Sequence, residues 1–290
     1  MEPVVIVHGG AGPGRPGSAS ADAERAAALE RAVAVAFERL DAGALEACVA
    51  AVCELEEAPL FNAGRGSVLA RDGSVWCDAA VMAGDGRAGA VAAVTGVLNP
   101  VRAARALLVD GETLLWAGHS GELVARYGLQ SIDRAQVTPA ARARLDAHLA
   151  GRPQPQSGTV GAVCLDADGG LAAATSTGGR IGKHPSRVGD SALVGAGTWA
   201  DARTCAVSAT GAGEAFIRAV YAHEVHARML LADQSAADAA AGALQTVRAA
   251  GGLGGAICVS ARGEIAMPFT DACMSRAWRI GAGPVQSALR

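Results

Sequence analysis

Apolar and polar positions divide the chain into short runs of two kinds. Val4 to Val7 is β-rich and ends at Gly9-Gly10-Ala11-Gly12-Pro13-Gly14, which predicts a strand entering a loop. From about Ala21 to Leu40 the residues Ala27, Leu29, Val33, Val35 and Phe37 fall on overlapping helical faces, and Asp41-Ala42-Gly43 stops them. A second helix is expected over about Ala44 to Glu56, ahead of Pro59. Ser74 to Met82 and Ala88 to Val97 are strand-like, and Gly84-Asp85-Gly86 joins them as a hairpin. Pro100 to Tyr127 reads as short helices.

Leu129 to Gly158 is polar and helix-prone in its middle. It ends in Arg152-Pro153-Gln154-Pro155-Gln156-Ser157-Gly158, an expected mobile tail. Strand character returns abruptly at Thr159 to Leu165. A turn at Asp166-Ala167-Asp168-Gly169-Gly170 returns the chain as a second strand over Leu171 to Ser176. Further strands are expected at Ser191 to Ala196 and Thr204 to Ala209. One long helix follows at Gly213 to Leu231, another at about Ser235 to Ala249, then a hairpin of Ala256 to Ser260 with Glu264 to Pro268. Strands in antiparallel pairs with helices in blocks between them predict a layered α+β fold, helices outside a sheet pair.

Composition sharpens this picture. With 51% hydrophobic residues the chain buries a large core, and 290 residues allow one large domain or two small ones. Aromatics are only 3% and glycines number 38, so the core is mostly Ala and Val with closely spaced backbones. A net charge of −3 gives no basic face for nucleic acid. No run reaches the ~18 apolar residues of a membrane span. The start has neither a basic region nor an apolar stretch of signal-peptide length. A cytoplasmic protein is expected. Seven cysteines without a CxxC agree, reading as buried free thiols.

Three motifs invite chemistry and lose it on inspection. Gly84-Asp85-Gly86-Arg87-Ala88-Gly89 fits GxGxxG, but a strand rather than a helix follows. His223-Glu224-Val225-His226 spaces its histidines i, i+3 rather than the zincin i, i+4, so a solvated helix face is expected. Gly64-Arg65-Gly66-Ser67 lacks the frame of a serine nucleophile elbow.

The stretch from Ser157 to Gly213 is different. Ser157-Gly158-Thr159-Val160-Gly161, Ser176-Thr177-Gly178-Gly179, Ser186-Arg187-Val188-Gly189-Asp190-Ser191 and Thr210-Gly211-Ala212-Gly213-Glu214 each set a hydroxyl or charge beside glycine at a strand end. Glycine lets main-chain N–H groups converge on a ligand, as in an oxyanion hole. Scission of Gly158–Thr159 would make Thr159 a new N-terminus. Its amine, with a pKa near ~7.7–8, could act as base to its own hydroxyl. On spacing alone this reading and an ordinary loop before a strand stand level.

The chain resembles the plant-type (type III) L-asparaginase/isoaspartyl peptidase family of N-terminal-nucleophile hydrolases. The resemblance is carried by Val7-His8-Gly9-Gly10-Ala11-Gly12, Pro59-Leu60-Phe61-Asn62-Ala63-Gly64-Arg65-Gly66 and Ser157-Gly158-Thr159-Val160-Gly161-Ala162-Val163. It continues through Ala174-Thr175-Ser176-Thr177-Gly178-Gly179, Arg187-Val188-Gly189-Asp190-Ser191 and Gly195-Ala196-Gly197-Thr198. Thr210-Gly211-Ala212-Gly213-Glu214 and Met267-Pro268-Phe269 complete it. These segments lie in family order along nearly the whole chain.

The resemblance implies a four-layer αββα sandwich and a single domain, 1–290, cleaved autocatalytically between Gly158 and Thr159. The products would be an α subunit, 1–158, and a β subunit, 159–290, with 129–158 a mobile linker. Thr159 would be the nucleophile and Thr177 would bond its hydroxyl and amine. Thr210 and the Gly211 N–H would hold the oxyanion, and Asn62 would orient the nucleophile region. Arg187 would clamp the substrate α-carboxylate, while Asp190 and the Gly213 carbonyl bind the α-ammonium. A surface Arg187, a turn-capping Asp190 or a local salt bridge between them are the plainer alternatives.

No cofactor is implied for catalysis. A structural sodium would sit on carbonyls of Leu55, Glu56, Ala58, Phe61, Ala63 and Arg65. The implied activity is hydrolysis of β-aspartyl dipeptides and L-asparagine to L-aspartate by a homo-oligomer of αβ units, (αβ)2. A glycosylasparaginase-like relative, a threonine endopeptidase and an unprocessed amino-acid-binding homologue are the alternatives. Three departures from the family pattern stand out: Ser186 for a usual Gly, Ala192 for a usual Pro, and Phe269-Thr270-Asp271-Ala272-Cys273-Met274 at the C-terminal motif.

Overall fold

The computed structural model describes residues 1–13, 19–131, 138–152 and 158–290. Among these, the strands form two sheets. The larger contains β1 (Val4–Gly12), β2 (Cys77–Ala83), β3 (Ala88–Thr95), β4 (Leu115–His119), β5 (Val160–Leu165), β6 (Leu171–Thr177), β11 (Cys273–Ile280) and β12 (Gln286–Ala288), in the order β12-β11-β1-β5-β6-β2-β3-β4. The smaller contains β7 (Thr198–Asp201), β8 (Cys205–Gly211), β9 (Gly254–Ser260) and β10 (Ile265–Ala266), in the order β10-β9-β8-β7. Every pairing is antiparallel except β3 with β4.

Side-chain alternation decides what each strand face covers. Val5 and Val7 of β1, with Val160 and Ala162 of β5, point into an apolar cluster with helices α1 (Ala19–Phe37), α2 (Ala44–Glu57) and α3 (Pro100–Asp110). Val4, Ile6 and Val163 point the other way and meet Ala206, Ile257 and Val259 of the smaller sheet. The outer face of that sheet (Val207, Ala209, Cys258) packs on α6 (Gly213–Ala219), α7 (Tyr221–Ala232) and α8 (Ala236–Ala249). Strands β1, β2, β5, β6 and β9 are buried on both faces, which is why they read as unbroken apolar runs rather than alternating ones. The fold is mixed α+β with two sheets, as expected. No helix among the described residues is long and apolar enough to cross a membrane.

The two helices before Pro59 and the hairpin at Gly84-Asp85-Gly86 form as expected, so GxGxxG is a turn. Several other expectations are corrected. β1 does not stop at Gly9 but runs to Gly12, its register shifting between His8 and Ala11. Between α3 and α4 (Gly121–Tyr127) lies strand β4 rather than more helix. As an edge strand it has one partner and an exposed face, so no apolar alternation marks it.

Ser191 to Ala196 is a 3₁₀ turn at Asp190–Ala192 and loop, and the strand forms later, as β7. The long helix breaks at Val220 (φ +47°), because the first N–H groups of α7 turn to the Gly195 and Ala196 carbonyls. β11 and β12 were not expected at all. Arg276 and Arg279 interrupt the apolar pattern of β11, yet its main chain pairs with β1 on both sides of the register shift. The His223–His226 stretch is solvated on one side only: His223 is exposed, whereas His226 is buried, its Nδ1 2.6 Å from Thr204 Oγ1, and both rings lie against Trp199, that of His223 edge-on. All seven cysteines are free, and only Cys273 is not fully buried. Helix α5 (Pro139–Leu149) occupies the middle of the expected linker 129–158. The expected mobile tail at 153–157 lies outside the described residues.

Candidate active site

Thr159 is buried immediately before β5. The β5–β6 register sets Val160 opposite Ser176, and one residue further it sets Thr159 opposite Thr177. The β6–β2 register then sets Thr177 opposite Asp78. On the other side, Gly10 (φ +106°) presses against Gly158 and Thr159. A β-carbon there would sit 2.6 Å from the Gly158 Cα, so only glycine fits. Three strands thus present Thr159, Thr177 and Asp78 in one row.

Thr210 reaches this row from the smaller sheet. Its Oγ1 accepts from the Thr159 N–H at 3.2 Å and from the Ala11 N–H at 3.3 Å. Gly211 follows at the end of β8. Thr177 Oγ1 accepts from the Gly179 N–H at 2.9 Å and from Asn62 Nδ2 at 3.5 Å. Asn62 also donates to the Gly179 carbonyl (2.7 Å) and accepts from the Val68 N–H (2.9 Å), so its amide ties the α2–β2 loop to the turn after β6. No hydrogen bond joins Thr177 to Thr159 in the continuous chain.

Arg187 and Asp190 sit in the loop that follows. Arg187 does not pair with Asp190. Its Nε and Nη2 bind Glu214 Oε1 at 2.9 and 2.8 Å. Asp190 is buried, with Oδ2 lacking any hydrogen-bond partner. Burial pushes its carboxyl up to about 7. A β-carbon on Gly213 would lie 2.8 Å from Asp190 Oδ1 and 3.2 Å from Arg187 Nη2, so both groups border the space that glycine leaves open. A buried carboxylate oxygen without a donor, beside a guanidinium, suits a ligand carrying both an ammonium and a carboxylate.

Three groups escaped the sequence reading. Asp78, buried at a bulge in β2, accepts from the Ala93 N–H (2.7 Å) and the Gly189 N–H (2.9 Å), so it pins the loop carrying Arg187 and Asp190. Burial raises its carboxyl, and the neighbouring Lys183 ammonium opposes the rise. Lys183 itself is buried and donates to the Trp76 carbonyl at 2.6 Å. A lone Asp inside Val75-Trp76-Cys77-Asp78-Ala79-Ala80-Val81 was the available signal.

The second group is a chain of buried hydroxyls between the sheets. Thr198 Oγ1 donates to Thr175 Oγ1 (2.7 Å), which lies 2.7 Å from Ser208 Oγ, itself 3.0 Å from His8 Nε2. Burial lowers His8 to about 3, and the Thr159 backbone opposes this. The imidazole is therefore neutral, and its Nε2 shares a hydrogen bond with Ser208 Oγ. Thr198 also lies 3.2 Å from the Ser191 carbonyl, so the chain runs from the neighbourhood of Thr159 to the Asp190 turn. The third group is Glu214, the partner of Arg187.

Ahead of Asn62, Pro59 has no N–H to meet the Leu55 carbonyl at the end of α2. Ala58 and Ala63 carbonyls accept turn bonds from Phe61 (3.4 Å) and Gly66 (3.0 Å). A helix C-terminus with an unclaimed carbonyl suits a hard cation held by oxygen. No cluster of three or more His, Cys, Asp or Glu among the described residues could hold a metal. The Glu56 side chain is occupied otherwise, accepting from Asn99 Nδ2 (3.1 Å) and the Val101 N–H (3.1 Å) at the start of α3. A cavity of about 400 Å³ adjoins Gly158, bordered by Gly10, Phe61, Asn62 and Arg144 of α5. Neither Arg187 nor Asp190 lines it.

A family model described as asparaginase matches residues 1–287. The chain is 42% identical to the isoaspartyl peptidase of Escherichia coli (strain K12), over 95% of this chain and 92% of that protein. It is 42% identical to the plant-type L-asparaginase of Pyrobaculum calidifontis, over 94% and 96%. It is 37% identical to the human isoaspartyl peptidase/L-asparaginase, over 94% and 92%.

Proposed function

The chain belongs to the asparaginase family, and we propose that it is a threonine amidohydrolase that releases L-aspartate from β-aspartyl dipeptides and L-asparagine. Scission of Gly158–Thr159 yields 1–158 and 159–290 and frees the Thr159 amine. That amine, with an ordinary pKa of about 7.7–8.0, takes the proton from the Thr159 hydroxyl at neutral pH. The Thr159 oxygen attacks the β-carbonyl carbon, and the C–N bond breaks with the proton passing to the departing amine. Water then cleaves the aspartyl ester. Thr210 and the Gly211 N–H hold the oxyanion, Thr177 tunes the freed hydroxyl and amine, and Asn62 steadies the turn carrying Thr177.

Arg187 takes the substrate α-carboxylate. Asp190 with the Gly213 carbonyl takes the α-ammonium, which supplies the missing partner of Asp190 Oδ2. That orphaned oxygen is the observation that carries the reading, since a ligand with a free ammonium relieves it. The two-sheet arrangement supports the four-layer αββα sandwich of N-terminal-nucleophile hydrolases. The carbonyls of Leu55, Glu56, Ala58, Phe61, Ala63 and Arg65 suit a sodium ion that steadies the Asn62 loop. The working form is an (αβ)2 assembly in the cytoplasm, where free thiols stay reduced. Aspartate release from β-Asp-Leu and from asparagine, abolished by Thr159→Ala, is the test. Turnover by that variant, or an inert wild-type protein, refutes the proposal.

A further inference from the structure

Arg187 is only 18% exposed and spends one edge of its guanidinium, Nε and Nη2, on Glu214 Oε1. Its Nη1 turns toward the main chain of Gly179 and Gly189, at 3.4 and 3.3 Å from where their β-carbons would be. The other oxygen of the same carboxylate, Glu214 Oε2, lies 3.7 Å from Arg180 Nη1. Arg180 is 68% exposed. One carboxylate therefore holds two guanidinium groups in a row, the inner beside Asp190 and the outer at the rim.

The backbone below Arg180 is fixed. Gly179 donates to Thr177 Oγ1 and accepts from Asn62, so the side chain starts from a defined point beside the candidate nucleophile row. The pair with Glu214 is long and exposed, and such pairs contribute little. An incoming anion can share Arg180 without breaking a strong bond.

The substrates differ in one group. Asparagine has a single carboxylate. A β-aspartyl dipeptide has a second, on the departing residue, separated from the first by the Cα, Cβ, carbonyl carbon, nitrogen and Cα of its backbone. Resting on the activity proposed above, we infer that Arg180 is the subsite for the carboxylate of the departing residue, with Glu214 as the spacer that keeps it in line with Arg187. The site is thereby biased toward β-aspartyl dipeptides with a free C-terminus.

The test is a cycle of two proteins and two substrates: wild type and Arg180→Ala against β-Asp-Leu and its C-terminal amide, with asparagine alongside. Wild type should show a KM about fivefold lower for the free acid than for the amide. Arg180→Ala should treat the two alike, at the level of the amide, with Arg180→Lys between. Asparagine turnover should persist in the variant. An acid-to-amide ratio equal in both proteins overturns the subsite. So does a parallel loss on asparagine, which would mean that Arg180 acts through Glu214 on Arg187. Wild-type protein inert on every substrate refutes the activity itself, and the subsite with it.

Discussion

Two buried aspartates meet at the end of one loop, Asp78 reaching in from β2 to the Gly189 N–H and Asp190 following directly in the chain, and their surroundings are opposite. Asp78 has both oxygens engaged by main-chain N–H groups and a lysine nearby, whereas Asp190, equally buried, leaves Oδ2 with no donor. A carboxylate that meets its donors within the chain is a structural anchor. One that is buried and left short is held ready for something that arrives later. The difference leaves the loop anchored at Gly189 and chemically incomplete at the next residue, Asp190.

The largest expected effect that sharpens this contrast is on Asp190. Asp190→Asn should lower kcat/KM for asparagine about a thousandfold, on the order of 4 kcal/mol, because the ammonium loses its only buried counter-charge. Stability should move the other way. The folded-state pKa near 7 lies above the unfolded value of 3.8. The stability linked to this proton is thus complete below the unfolded value and lost as pH rises through about 7. At pH 8 the variant should be the more stable protein in urea, and at pH 4 it should not. Glu56, also raised to about 7 by burial, titrates in both proteins and cancels in the difference. A variant that is both active and no more stable at pH 8 breaks the comparison.

Asp78→Ala comes next. It leaves the Ala93 and Gly189 N–H groups unmet and should cost roughly 2–4 kcal/mol of stability at any pH from 5 to 8. Urea midpoints read this directly. Ser186→Gly is the smallest. Ser186 carries φ +65°, a left-handed backbone that penalises any side chain, so the glycine should gain about 0.5–1 kcal/mol without altering KM. A loss of stability would mean that the loop is not strained there.

Much of the fold was legible because apolar periodicity is strong where helices pack on sheets, as in α1, α2 and β5. What escaped has common causes. β4 and β11 are held by main-chain pairing rather than by pattern, at an exposed edge and through two arginines. The break at Val220 comes from carbonyls of Gly195 and Ala196, over twenty residues away. For the site, hydroxyl-and-glycine clusters marked Thr159, Thr177, Thr210 and the Arg187–Asp190 loop, but not what those charges face. Asp190 was expected to bind an α-ammonium, with a turn cap or a pair with Arg187 as the plainer alternatives; that pair does not form, because Glu214 takes the arginine through a contact between the loop and α6. His8, Ser208, Thr175 and Thr198 each look like ordinary strand residues. Only the packing of two sheets makes them a chain.

Intact mass of the purified protein, with N-terminal sequencing of any fragment, tests the central claim most directly. The account predicts two polypeptides, 1–158 and 159–290, the second beginning with an unblocked Thr159, and a single uncut chain for Thr159→Ala. Aspartate release from β-Asp-Leu by protein that stays one continuous chain throughout would contradict it.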